Sequence, residues 1–196
     1  MKKQKKAYKP TKLELEGILA QTKEENIQRW VMLHFSYYAG LRSMEISQLD
    51  IGHVYKDGEI KKTAQLITKG GGERIIRLGN AKLISALSTW YKVQNLSEKP
   101  MTAPLFTNRQ GARFNANSVV KQFAQAYLKP NEGRHKSERL SSHSGRRYFA
   151  TVLGNTAGMT TKQLMALGGW ESPEVALTYV ETNEEELDEF VESANF

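Results

Sequence analysis

Two isolated arginines, a histidine and a late tyrosine are the residues of this chain whose types and spacing could do chemistry. Arg42 lies in Gly40-Leu41-Arg42-Ser43-Met44-Glu45, and His143 and Arg146 lie in His143-Ser144-Gly145-Arg146; Tyr179 follows Leu167-Gly168-Gly169-Trp170. The set suits a phosphodiester. Such a group is an anion that repels nucleophiles, so attack on it without a metal needs fixed cations on the non-bridging oxygens. Arginine serves well because its planar fork stays charged and binds phosphate bidentately. A tyrosine hydroxyl beside a base is a candidate nucleophile, and a phosphotyrosine would store the bond energy for rejoining, so that strands exchange without ATP. No clustered Asp/Glu/His ligand motif accompanies the arginines, which argues against a metal nuclease.

The elements that must position these groups are mostly helical. Thr11 with Glu14 fits a capping box, and Leu13, Leu15 and Ile18 give an apolar face, so a short helix starts there. A second helix is expected from about Glu24 to Ala39; it is apolar on most sides and stops at Gly40, which makes it the central buried helix. Arg42 then sits between that helix and another over Met44 to Leu49. From Ile51 to Leu78 the period changes to two, with turns at Asp57-Gly58 and Gly70-Gly71-Gly72, and a three-stranded antiparallel sheet is expected. Lys69 stands at the mouth of the glycine turn. Helical patterns resume at Ala81 to Val93, Asn117 to Leu128, Gly145 to Leu153 and Thr161 to Leu167, and a polar loop runs between Lys129 and Ser142. The expected fold is therefore mainly α with one small sheet, an α+β domain. His34, Tyr37, Tyr38 and Tyr148 lie in apolar helical settings and read as core, and His135 reads as an exposed loop residue.

At 196 residues the chain is the size of one ordinary domain. It has no cysteine, which excludes disulfide scaffolds, cysteine-zinc sites and thiol nucleophiles. Residues 181–196 hold seven acids and no Lys or Arg; residues 1–180 hold all 28 Lys and Arg against 14 Asp and Glu, a net charge of +14. A basic body of this kind favours a polyanionic partner, nucleic acid first. Three segments follow: a basic N-terminal arm over residues 1–10 with Lys2, Lys3, Lys5 and Lys6 as candidate DNA contacts, a catalytic body over 11–180, and the acidic tail. No apolar stretch reaches membrane-spanning length and no signal-peptide pattern opens the chain, so a cytoplasmic, nucleoid-associated protein is expected.

Order and spacing together carry a resemblance. The chain resembles the catalytic domain of the tyrosine recombinases, the phage-integrase family, over roughly Thr11 to Glu192. The family's first arginine box matches Gly40 to Glu45, with Glu45 as the acid that orients Arg42. Its hairpin lysine matches Lys69 in Ile67-Thr68-Lys69-Gly70-Gly71-Gly72-Glu73-Arg74, and its His-x-x-Arg box matches His143 to Arg146. Most members carry histidine nine residues before the nucleophilic tyrosine; here Trp170 stands there, as in Cre-like members. An indole N–H can donate to a phosphate oxygen but cannot shuttle a proton, so Trp170 is expected to position and cover. Arg147 replaces a histidine common in the family, and Arg147 and Arg74 are further candidate DNA contacts.

The resemblance implies that Tyr179 attacks the scissile phosphate to give a 3′-phosphotyrosyl link, while Arg42 and Arg146 hold the non-bridging oxygens. It makes His143 the general base and Lys69 the acid on the leaving 5′ oxygen, with no nucleotide or metal cofactor. The implied partners are double-stranded DNA with paired recombination sites and further copies of the chain, a homo-tetramer on DNA assembled through the C-terminal segment; accessory DNA-bending proteins are a further expected partner class. Leu187, Phe190 and Val191 give that acidic segment an apolar stripe, for docking on its own domain or on a neighbouring protomer. Family members usually carry a separate N-terminal helical domain for which this chain has no room; a catalytic fragment and a short recombinase like the fimbrial phase-switch invertases are both compatible. Two other functions stay open: a catalytically silent DNA-binding regulator of the same fold, and strand relaxation of the type IB topoisomerase kind.

Overall fold

The computed structural model describes residues 7–67, 72–155 and 159–180. Helix α1 (Lys12–Glu25) starts at the Thr11 capping box: the Glu14 N–H donates to Thr11 Oγ1 (3.2 Å) and the Thr11 N–H to Glu14 Oε2 (2.7 Å). Asn26 then closes one helix and opens the next. Its extended backbone breaks the helical path, its N–H still reaches Thr22, and its side chain accepts the Arg29 N–H that begins α2 (Ile27–Ala39). Because of this shared cap, the second helix starts three residues later than its apolar pattern alone suggests.

Helix α2 is the axis of the domain. Val31, Met32, Leu33 and Phe35 are fully buried, and α1, α5 (Ala81–Val93), α6 (Ala116–Ala126) and α7 (Ser144–Gly154) pack around it. His34 is a core residue: its Nδ1 lies 2.8 Å from the Trp30 carbonyl, and burial pushes its pKa down to about 4. Tyr37 is buried with its hydroxyl on that of Tyr127, while Tyr38 and Tyr148 are half-buried against the same core. Gly40 ends the helix in the left-handed region, and a Cβ there would lie 2.4 Å from the Phe149 ring. Only glycine fits both the turn and the ring.

The β segment differs from expectation. Ile51–Val54 is a helical turn, α4, closed by the Asp50 N–H donating to His53 Nδ1 (2.8 Å). Among the described residues the strands form two separate antiparallel pairs, β1 (Tyr55–Lys56) with β2 (Glu59–Ile60), and β3 (Thr63–Ile67) with β4 (Glu73–Arg77), rather than one three-stranded sheet. The change of partner falls at Lys61 and Lys62. The Lys61 N–H extends the first pair onto the Val54 carbonyl (2.8 Å), whereas the Lys62 carbonyl extends the second by accepting from Leu78 (3.0 Å), so consecutive residues hydrogen-bond to different strands. In the second pair Ala64, Leu66, Arg74 and Ile76 face inward, and Gln65, Ile67, Glu73 and Ile75 outward.

A second, smaller cluster of Ala150, Leu164, Trp170 and Ala176 joins α7 to α8 (Thr161–Gly168) and α9 (Pro173–Tyr179). Helix α8 carries a Thr160–Gln163 capping box and ends at left-handed Gly169; α9 opens on Ser172, which accepts the Val175 N–H, followed by Pro173. Of the expected basic arm, Ala7 to Pro10 lie against the body, where Tyr8 donates to Glu14 (3.0 Å) and Arg134 binds the same carboxylate. Lys2, Lys3, Lys5, Lys6, Lys69 and the acidic tail from Glu181 lie outside the described residues. No helix among the described residues is long and apolar enough to cross a membrane.

Candidate active site

The site forms where two helices end. Left-handed Gly40 and Gly169 close α2 and α8, and three guanidinium groups bind carbonyls at these two ends. Arg146, from the first turn of α7, donates through Nη1 to the Gly40 carbonyl (2.6 Å) and through Nη2 to that of Gly168. Arg74, from β4, donates to Ala39 (3.2 Å) and Leu167 (2.6 Å). Arg42, at the head of α3 (Ser43–Ser47), reaches the Gly169 carbonyl in a long contact (3.4 Å). Carbonyls at helix C-termini lack intrahelical partners and carry the negative end of the macrodipole, so each cation stabilises and is stabilised.

One carboxylate organises the cations. Glu45 is fully buried and accepts the Arg42 backbone N–H (2.7 Å), Arg42 Nη1 (3.3 Å) and Arg74 Nη1 (3.1 Å). The position the sequence assigns it, holding Arg42, is where it stands. Three arginines against one acid leave two positive charges in excess, which carbonyl dipoles offset only partly. Burial, then Arg42 and Arg74, push the Arg146 pKa down, yet a guanidinium remains charged at neutral pH. A local excess of positive charge of this kind favours an anionic partner.

Trp170 and Tyr179 close one side. The Arg146 guanidinium lies over the indole (4.4 Å to the ring centre) and faces the phenol ring (5.8 Å), and the two rings are tilted at 5.2 Å. Trp170 is buried and its Nε1 has no hydrogen-bond partner among the described residues. Tyr179 is half-buried at the end of α9, fixed through its carbonyl by the Thr151 hydroxyl (3.0 Å). His143 caps α7 and is exposed; partial burial of the ring, then the charges of Arg146 and Arg42, lower its pKa below the usual 6.5. The ring is thereby biased toward its neutral form.

The fold thus gathers Arg42, Glu45, His143, Arg146, Trp170 and Tyr179 from segments well separated in the chain. Two other expectations need correction. Arg74 is 4% exposed, with its fork on Glu45 and helix-end carbonyls, and Arg147 is 7% exposed, with Nη1 on the Ala7 carbonyl. Neither is placed as a surface contact to DNA: each is held inside by carbonyls that sequence pattern does not display. The groups missed from sequence are those carbonyls and the glycines behind them. A Cβ on Gly168 would lie 1.7 Å from the Trp170 ring, and one on Gly169 would lie 2.5 Å from Arg74 Cδ. The signal was the pair of glycines closing a short helix.

The model of the phage integrase family matches residues 11–186. The chain belongs to the phage integrase family. Curated relatives include the tyrosine recombinase XerC of Pseudomonas entomophila (strain L48), 29% identical over 140 residues, covering 67% of this chain and 45% of the relative. XerC of Escherichia coli O127:H6 is 31% identical over 128 residues, covering 65% of this chain and 40% of the relative. The chain spans less than half the length of these integrase-family relatives. Among solved structures, the XerA recombinase superposes with a TM-score of 0.77 at 17% identity over 98% of this chain and 67% of the other. The XerH site-specific recombinase, in a post-cleavage complex with palindromic difH substrate, gives 0.71 at 22% identity over 94% and 52%. Both show the same mainly helical fold.

Proposed function

We propose that this integrase-family domain cleaves and rejoins DNA strands for site-specific recombination through a 3′-phosphotyrosyl intermediate. The observation that carries the reading is the Arg146 guanidinium, set between two helix ends and facing both Trp170 and Tyr179. A scissile phosphate seated on Arg42 and Arg146 has its charge held while the Tyr179 hydroxyl oxygen forms a bond to phosphorus and the bond to the 5′ oxygen breaks. His143 accepts the tyrosine proton and Lys69 supplies one to the departing 5′ oxygen. Trp170 Nε1, buried and unpartnered among the described residues, is the donor a non-bridging oxygen would meet. The second strand's 5′ hydroxyl reverses these steps, so no bond energy is lost.

The experiment uses a nicked duplex selected from a random-sequence pool for retention by the chain. Wild type leaves a protein–DNA adduct on a denaturing gel, and Tyr179→Phe binds equally but leaves none. An adduct from Tyr179→Phe removes that residue from the role.

For assembly, the proposal is four copies on paired DNA sites, each tail docked on a neighbour. A groove of about 700 Å³ between α6 and the segment before His143 supports this, because Val120 and Leu128 offer apolar surface and the cations Lys129 and Arg139 outnumber the one lining acid, Glu132. Those features complement an acidic segment with an apolar stripe. Deleting residues 182–196 is expected to abolish DNA-dependent oligomers in sedimentation; unchanged oligomers would refute the docking.

A further inference from the structure

Arg74 is buried, and it contacts both Glu45 and the two helix ends that hold Arg42 and Arg146. Its Nη1 lies 3.2 and 3.1 Å from the two Glu45 oxygens, and its Nη2 binds the carbonyls of Ala39, at the end of α2, and Leu167, near the end of α8. The same two helix ends supply the acceptors of Arg146 and Arg42. Gly169, left-handed and without a Cβ, leaves the space that the Arg74 side chain crosses.

The charge balance explains what this achieves. Glu45 is fully buried, and a buried carboxylate needs a full counter-charge. Were Arg42 its only cation, the two would collapse into a closed pair and the fork of Arg42 would turn inward. Arg74, with 2% of its side chain exposed, neutralises Glu45 from inside, whereas the Arg42 side chain keeps 34% exposure. Glu45 is thereby left to orient Arg42 without consuming it. We propose that Arg74 is a positioning residue for strand cleavage, holding Glu45 so that Arg42 presents its fork to the phosphate. This rests on the recombinase reading above.

The test is a double-mutant cycle on the full chain, with adduct formation on the selected nicked duplex measured at single turnover. Arg74→Met should slow it about 30-fold while duplex binding stays within about threefold. In an Arg42→Lys background the same change should cost less than about threefold, because the fork that Arg74 sets is already gone. Arg74→Lys restores the charge beside Glu45 and should recover part of the rate. Should Arg74→Met fail to fold, Arg74→Lys and Glu45→Gln enter the same cycle with Arg42→Lys. Losses that multiply unchanged across the two backgrounds overturn the proposal, as does a loss of binding equal to the loss of rate, which would mean DNA contact. An inactive wild type would remove the recombinase reading and this role together; an active wild type with uncoupled losses removes only this role.

Discussion

Alanine at Gly40 should destabilise the domain by an amount that can be divided into two physical parts. Gly40 has φ near +63°, where an L side chain costs about 1–2 kcal/mol. The new Cβ would lie 2.4 and 2.7 Å from two ring carbons of Phe149, an overpacking that costs about 1–3 kcal/mol. The total is about 2–5 kcal/mol, and in a chain this long about 3.5 kcal/mol lowers Tm by about 10 °C. Two other glycines separate the parts. Gly111 has φ +79° with nothing within 4 Å of its would-be Cβ, so Gly111→Ala reads the backbone cost alone. Gly17 is exposed within α1 with nothing within 4 Å, so Gly17→Ala should stabilise by about 0.5–1 kcal/mol. Urea unfolding of the three variants should rank Gly17→Ala above wild type, then Gly111→Ala, then Gly40→Ala, and Phe149→Leu should return part of the last loss. If Gly40→Ala is no worse than Gly111→Ala, the Phe149 contact does not fix this helix end; if it behaves like Gly17→Ala, the whole account of the α2 terminus fails. The stakes reach the site, because the Gly40 carbonyl holds Arg146.

Two predictions concern histidines. In the DNA-free chain, an NMR titration of His143 should give a midpoint below 6.5, and Arg42→Ala should raise it by removing a positive neighbour; a wild-type midpoint at or above 6.5 would contradict the site's electrostatics. His34, at about 4 in the fold against 6.5 when unfolded, stays neutral while the unfolded chain takes up a proton. Its stabilisation is therefore whole above pH 6.5 and lost as pH falls toward 4, about 3 kcal/mol in all, and His34→Gln should flatten that part of the stability–pH curve measured by urea unfolding. An unchanged slope would mean that other groups carry the acid sensitivity.

What the chain discloses before folding is uneven, for physical reasons. Local signals survive: the Thr11–Glu14 box starts α1, Gly40 stops α2, and α5 occupies the expected Ala81–Val93. Pairing is not local. A period of two marks strands but not their partners, so the bend at Lys61 and Lys62 could not be read, and Asp50 with His53 turned an expected strand into a helical turn. Helix α9 was not among the expected helices, although Ser172 and Pro173 are ordinary start signals. In the site, motif spacing singled out Arg42, Glu45, Arg146 and Tyr179, and the fold brings the segments that carry them together. Arg74 and Arg147 were misplaced because an arginine's surroundings depend on backbone carbonyls from distant segments, which side-chain patterns do not encode.

The contact between Arg147 and the Ala7 carbonyl ties the segment ahead of α1 to the first turns of α7. Arg147 directly follows Arg146, so consecutive residues of one helix hold two distant parts of the chain, the Ala7 backbone on one side and the ends of α2 and α8 on the other. A shift of α7 along its axis would therefore disturb both attachments at once.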